Sequence, residues 1–139
     1  MTTKGIMSFS VFGADEVVRL IDTTIQKTKD AVVAGVRDST VLAYGEIKNS
    51  IAGRRAETKS VDTGRLLNSI EYEYNSNQGK VFSKLEYAPY LEYGTSKITP
   101  RRHFRNSLAR KRNEINKIMQ DKISSATKVS ISQKRVGGY

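Results

Sequence analysis

The sequence holds no cysteine, no tryptophan, two prolines and a single histidine, His103. Without thiols it can build neither a disulfide framework nor a thiolate metal site. With one imidazole it has no histidine pair to bind a metal or relay a proton, so no cofactor is expected. No apolar run approaches the roughly 18 residues of a membrane span. The opening residues Met1 to Met7 lack the apolar core and small-residue cleavage site of a secretory signal. The expectation is a protein made in the cytoplasm with no membrane partner. Apolar residues are also scarce, at 37% of 139, which suits one modest core and polar elements that need neighbours to pack against.

Acidic residues are missing from one region in particular. Residues 1–99 hold 13 Lys/Arg against 12 Asp/Glu, whereas residues 100–139 hold 11 against 2, so nearly all of the net charge of +10 lies on the last 40 residues. Such a stretch is an electrostatic footprint for nucleic acid or an acidic protein surface, or else a solvated basic helix face.

Three segments follow from periodicity. Residues 1–13 form an N-terminal arm or short strand through Ser8 to Gly13. From Ala14 to about Ile51 the residues Ile21, Ile25, Thr28, Val32, Val36, Ser39, Ala43 and Ile47 make one helical stripe without proline. A helix of that length outreaches a domain of this size, and Gly35 or Gly45 are places where it would break. Gly53 to Ser60 reads as an exposed, mobile polar loop. Asp62 or Thr63 would cap a short turn carrying Leu66 and Leu67. Ile70 to Tyr74 then alternates, with Ile70, Tyr72 and Tyr74 on one face, and Asn75 to Gly79 turns into a second strand, Lys80 to Tyr87. Pro89 opens a helical turn that Gly94 ends. Thr99 and Pro100 introduce a second helix from about Arg101 to Ala126, with Phe104, Leu108, Ile115, Ile118 or Met119, and Ile123 at helical spacing. Residues 14–126 thus form a single domain, followed by a basic tail over 127–139. The fold class is α+β, a small antiparallel β-sheet packed against a long N-terminal helix and a C-terminal helix.

Reactive chemistry is thin. Glu71 and Glu73 share one strand face, where solvated charges are far commoner than a two-carboxylate site. Gly94-Thr-Ser-Lys97 lacks the glycine-rich spacing of a phosphate loop. Tyr72, Tyr74, Tyr87, Tyr90 and Tyr93 would suit base stacking, but the glutamates between the first two repel phosphate, which favours core and interface tyrosines. The expectation is that the protein is not an enzyme.

Asp62-Thr-Gly-Arg-Leu-Leu-Asn-Ser-Ile70, Tyr87-Ala-Pro-Tyr-Leu-Glu-Tyr-Gly-Thr95 and Pro100-Arg-Arg-His-Phe104 occur in that order. Together they resemble the neck and tail-completion proteins of tailed phages, the HK97 gp10 family. The likeness is close from Val61 to Phe104 and extends by element order over residues 14–126. It departs at His103, where the family usually has proline, and in the basic tail. The resemblance implies a virion structural protein, present in the host cytoplasm during assembly. It implies a sixfold or twelvefold homo-oligomeric ring between a head connector, adaptor or stopper and a tail terminator or tube, with DNA passing through the lumen without sequence-specific binding.

On this reading Asp62, Gly64, Leu66, Ile70, Tyr87, Glu92, Gly94, Pro100 and Phe104 specify the fold. Leu66, Leu67, Ile70, Leu91 and Phe104 bury the hairpin against the helices, while Glu92 pairs with Arg65 or Arg101 or caps a backbone group. Arg54, Arg55, Arg101, Arg102, Arg105, Arg110, Lys111 and Arg112 are the interface candidates. The alternative function is a nucleic-acid-binding module using residues 101–135, and a lysis or DNA-processing enzyme is the weakest reading.

Overall fold

A computed structural model describes residues 14–60 and 64–136, with side chains placed for 15–60 and 64–127. The expected N-terminal strand and the Asp62 and Thr63 caps therefore lie outside the described residues. The elements run α1 (Ala14–Ile51), α2 (Arg65–Ser69), β1 (Ile70–Tyr74), β2 (Gly79–Ser83), α3 (Ala88–Tyr93) and α4 (His103–Val136). The fold is α+β and mostly helical.

The 38 residues of α1 form one unbroken helix, about 57 Å long at 1.5 Å per residue. Asp15 and Glu16 in its first turn and Lys48 in its last complement the helix dipole. Gly35 does not break it. That glycine instead admits α4, since a Cβ there would stand 2.6 Å from Met119 Sδ. The two long helices run antiparallel, as contacts of Ser50 with His103, Glu46 with Arg110 and Asp38 with Lys122 require.

β1 and β2 pair antiparallel with Ile70 opposite Ser83 and Tyr74 opposite Gly79. Asn75 closes the turn, its side-chain oxygen accepting from the N–H groups of Asn77 and Gln78. The hairpin lies against α1. A Cβ on Gly79 would overlap the Thr40 hydroxyl, and the Tyr44 and Tyr72 rings meet at 4.9 Å. The second strand stops at Ser83, four residues short of the predicted end. The Ser83 hydroxyl bonds Ser69 and the Leu85 N–H, which bends the chain out of the ladder into α3.

The core is small. Ile47, Ile51, Leu66 and Ile70 are buried, and Tyr44, Leu67, Tyr87, Leu91 and Phe104 pack partly buried around them. Leu66, Leu67, Ile70, Leu91 and Phe104 thus occupy the packing positions expected of them. Gly64 sits at φ 80 and Gly94 at φ 78, conformations that favour glycine.

Two helix boundaries differ from the predicted ones. α4 begins at His103 rather than Arg101, because Pro100 to Arg102 stays non-helical, with the Arg101 N–H donating to the Leu91 carbonyl at 2.7 Å and Arg102 at φ 55. At the other end α4 continues to Val136 rather than stopping at Ala126. Between Ala126 and Val136 the sequence offers no proline or glycine to end it.

Candidate functional site

The densest chemistry lies where the 53–60 loop meets α1 and α4. On α1 the residues Ser39, Ala43, Glu46, Ile47 and Ser50 share the buried face, so a carboxylate is carried into the interior on a stripe of small and apolar side chains. Glu46 is 3% exposed. It accepts from Arg55 Nε at 2.6 Å and Nη2 at 3.0 Å, and from Arg110 Nε at 2.9 Å. Glu57, brought in by the loop, accepts from Arg110 Nη1 and Nη2 at 2.8 and 2.7 Å. The Arg55 guanidinium, with Arg110 behind it, holds the Glu46 carboxyl down to about 2 despite burial, and Arg110 does the same for Glu57, also to about 2. Both glutamates are therefore ionised and can only accept hydrogen bonds.

That fixes the protons of the adjoining chain. Ser50 Oγ lies 2.5 Å from Glu57 Oε1 and must donate to it. The same oxygen lies 2.8 Å from His103 Nδ1, so Nδ1 carries the proton and donates. His103 Nε2 then accepts from the Ser60 hydroxyl at 2.7 Å, and Ser60 in turn accepts from Arg101 Nη1 at 2.6 Å. His103, 2% exposed, is held neutral, with burial pushing its pKa below the usual imidazole value. In acyl-transfer sites the imidazole bonds a carboxylate directly, whereas here the Ser50 hydroxyl stands between His103 and Glu57. Here the chain of bonds ties one loop to two helices and works as a latch.

The 53–60 loop is exposed over most of its length, as expected, and is anchored at three side chains. Arg55, Glu57 and Ser60 each reach a helix, and the Ser60 N–H donates to the Ile51 carbonyl at 2.9 Å.

The interface candidates divide into two groups. Arg55, Arg110 and Lys111 form ion pairs with Glu46, Glu57 or Glu114. Arg101 is bound to Ser60 and the Lys59 carbonyl, and Arg54 bonds Asn49. Arg102, Arg105 and Arg112 are exposed and form no side-chain ion pair among the described residues. Glu92 pairs with neither Arg65 nor Arg101. Its two oxygens accept from the Phe104 and Arg105 N–H groups at 2.8 and 3.1 Å, capping α4 in place of Thr99.

Sequence reasoning missed Glu46, Glu57, Ser50 and Ser60. The available signal was Glu46 itself, a charge on the apolar face of α1 that implies a buried partner. Among the described residues no group of three or more His, Asp or Glu lies close enough to hold a metal, and no helix is long and apolar enough to cross a membrane.

Comparison with family models, curated proteins and solved structures gives no match.

Beyond the latch, the surface bears an apolar trough of about 390 Å³ between α1, β2 and α4, lined by Val36, Ala43, Val81, Phe104, Leu108 and Met119 among others. It continues past Phe104 and Leu108 into a second hollow with Phe82, Pro89, Tyr93 and Arg105 on its walls. A two-stranded sheet is too narrow to cover both long helices, so this side of the core stays open.

Proposed function

We propose that this chain is a structural, non-enzymatic component of a tailed-phage particle, a neck or tail-completion protein. It works by self-assembly into a ring and by docking between head connector and tail, leaving a passage for DNA. One observation carries the reading. The three segments that resemble the HK97 gp10 family fold into one another. Leu66 and Ile70 of the first, Tyr87 and Leu91 of the second and Phe104 of the third meet in one core. Glu92 of the second caps the helix that the third begins. The motif makes sense as a specification of fold, which is what a part defined by its shape and surfaces needs.

Docking then falls to the cations that form no ion pair among the described residues. Charge reversal at Arg102, Arg105 and Arg112 leaves the latch intact and is expected to yield separate heads and tails, counted by electron microscopy. Normal yields of joined, infectious particles from this variant would refute the docking role, and direct localisation of the protein away from the neck would refute the reading as a whole. Reversal of Arg110 or Lys111 is no substitute, because it breaks internal ion pairs.

The same three arginines favour a second reading, a module that tracks phosphates. It requires duplex DNA binding that weakens steeply with salt. A mobility shift absent at low salt would remove it.

A further inference from the structure

The first half of α1 carries Val17, Val18, Ile21 and Ile25, all of them 44–55% exposed. Their spacing puts them on one face of the helix, the face that further along carries Ser39, Ala43 and Ile47 into the core. Asp15 and Asp22 flank the stripe, both exposed and with no ion pair among the described residues. The open trough has the opposite character at its rim. Arg105, one position beyond Phe104, lines the second hollow, and Arg112, seven residues further along α4, follows it on the same side of the helix.

We propose that the exposed stripe of α1 in one copy of this chain packs into the trough of a second copy. Aliphatic side chains fill the apolar floor, and carboxylates at Asp15 and Asp22 meet Arg105 and Arg112. The stripe cannot fill the trough of its own chain. Val36 and Ala43, which line the trough, sit further along the same continuous helix, so stripe and trough are held apart on one rod. The contact uses two different surfaces of the chain, and such heterologous contacts close into rings or propagate as filaments. The inference rests on the self-assembly in the reading above and specifies the surfaces that make it.

The absence of cysteine makes the test direct. Full-length I21C and L108C chains, one carrying a mass tag, are mixed and oxidised. A mixed disulfide near twice 15.6 kDa is expected, together with a ladder from the double variant. A mixed product no stronger than that of I21C with K97C, or I21C pairing with itself as readily as with L108C, would overturn the proposal. In parallel, Ile21→Asp is expected to weaken self-association in sedimentation by about tenfold or more, with an unchanged melting temperature because the residue is half exposed. Unchanged association would overturn it equally. A particle that carries the protein at its neck but yields no such cross-link removes this contact while leaving the neck role standing.

Discussion

Arg110 joins two carboxylates that come from opposite sides of the latch, Glu46 from α1 and Glu57 from the loop. Both are almost fully buried, at 2% and 4% side-chain exposure, while Arg110 is 32% exposed. Removing the arginine leaves two buried negative charges with fewer donors, so Arg110→Ala is expected to lose about 3 kcal/mol of stability, read from urea unfolding with an unchanged slope. A loss under about 1 kcal/mol, the scale of an exposed ion pair, would show that the latch contributes little. The pH dependence follows from the same groups. His103 is buried neutral with its pKa lowered by desolvation, so the unfolded chain binds the proton first. Its stabilisation is full above the unfolded value of about 6.5 and is lost as pH falls below it. Glu46 and Glu57, lowered from 4.5 to about 2, add a second loss as pH falls from 4.5 towards 2. Thermal melts are expected to be level near pH 7–8 and then to decline in these two windows. A His103→Gln variant, less stable throughout, should lack the first, and persistence of that decline would assign it to other groups.

At the scale of elements, the closest approach of the hairpin to α1 depends on a missing side chain. Gly79 lies so close to Thr40 that a Cβ cannot be accommodated without moving the hairpin. Gly79→Ala is therefore expected to cost about 1–3 kcal/mol, the usual range for overpacking, and Thr40→Ser should not rescue it because the overlap is with the hydroxyl oxygen. Combining it with Thr40→Ala should recover part of the loss, and a double-mutant cycle in urea measures the recovery. Additive costs would place the contact elsewhere. Gly35 and Met119 repeat the arrangement between the two long helices, with a flexible thioether on the far side that can yield. The single turn of α3 serves α4 more than itself, since Glu92 supplies the cap at the start of the longer helix.

For the whole molecule, protection is expected to be uneven. Buried residues cluster between Ser39 and Ile51 and around Leu66, Ile70, His103 and Ser107, whereas the first turns of α1 expose both their polar and their apolar side chains. Amides near Val17 to Ile25 should exchange fastest within α1 in the isolated chain and become protected on self-association. Uniform protection along α1 in the monomer would contradict this ordering. It would also mean that the overhang is stabilised by contacts within the chain.

Much of this arrangement was written in local patterns. A proline-free stripe with period 3.6 defined α1 to its final residue, and alternation before the polar Asn75–Gly79 turn defined β1 and, to within one residue, the start of β2, because both depend on neighbours in the chain. The three motif segments likewise announced Leu66, Ile70, Leu91 and Phe104 as packing residues. What local pattern could not supply was the destination of charge. Arg55, Arg110 and Lys111 look the same in sequence as Arg102, Arg105 and Arg112. Only the fold-back of the 53–60 loop brings Arg55 to Glu46, and only the antiparallel passage of α4 along α1 brings Arg110 and Lys111 there and Arg110 to Glu57, leaving the others on the surface. The scarcity of histidine had a similar fate. The sequence excluded a histidine pair, but tertiary structure alone enclosed His103 between Ser50 and Ser60, residues 53 and 43 positions away. Hydrogen bonds and ion pairs across such separations are set by packing geometry, to which short-range periodicity is blind.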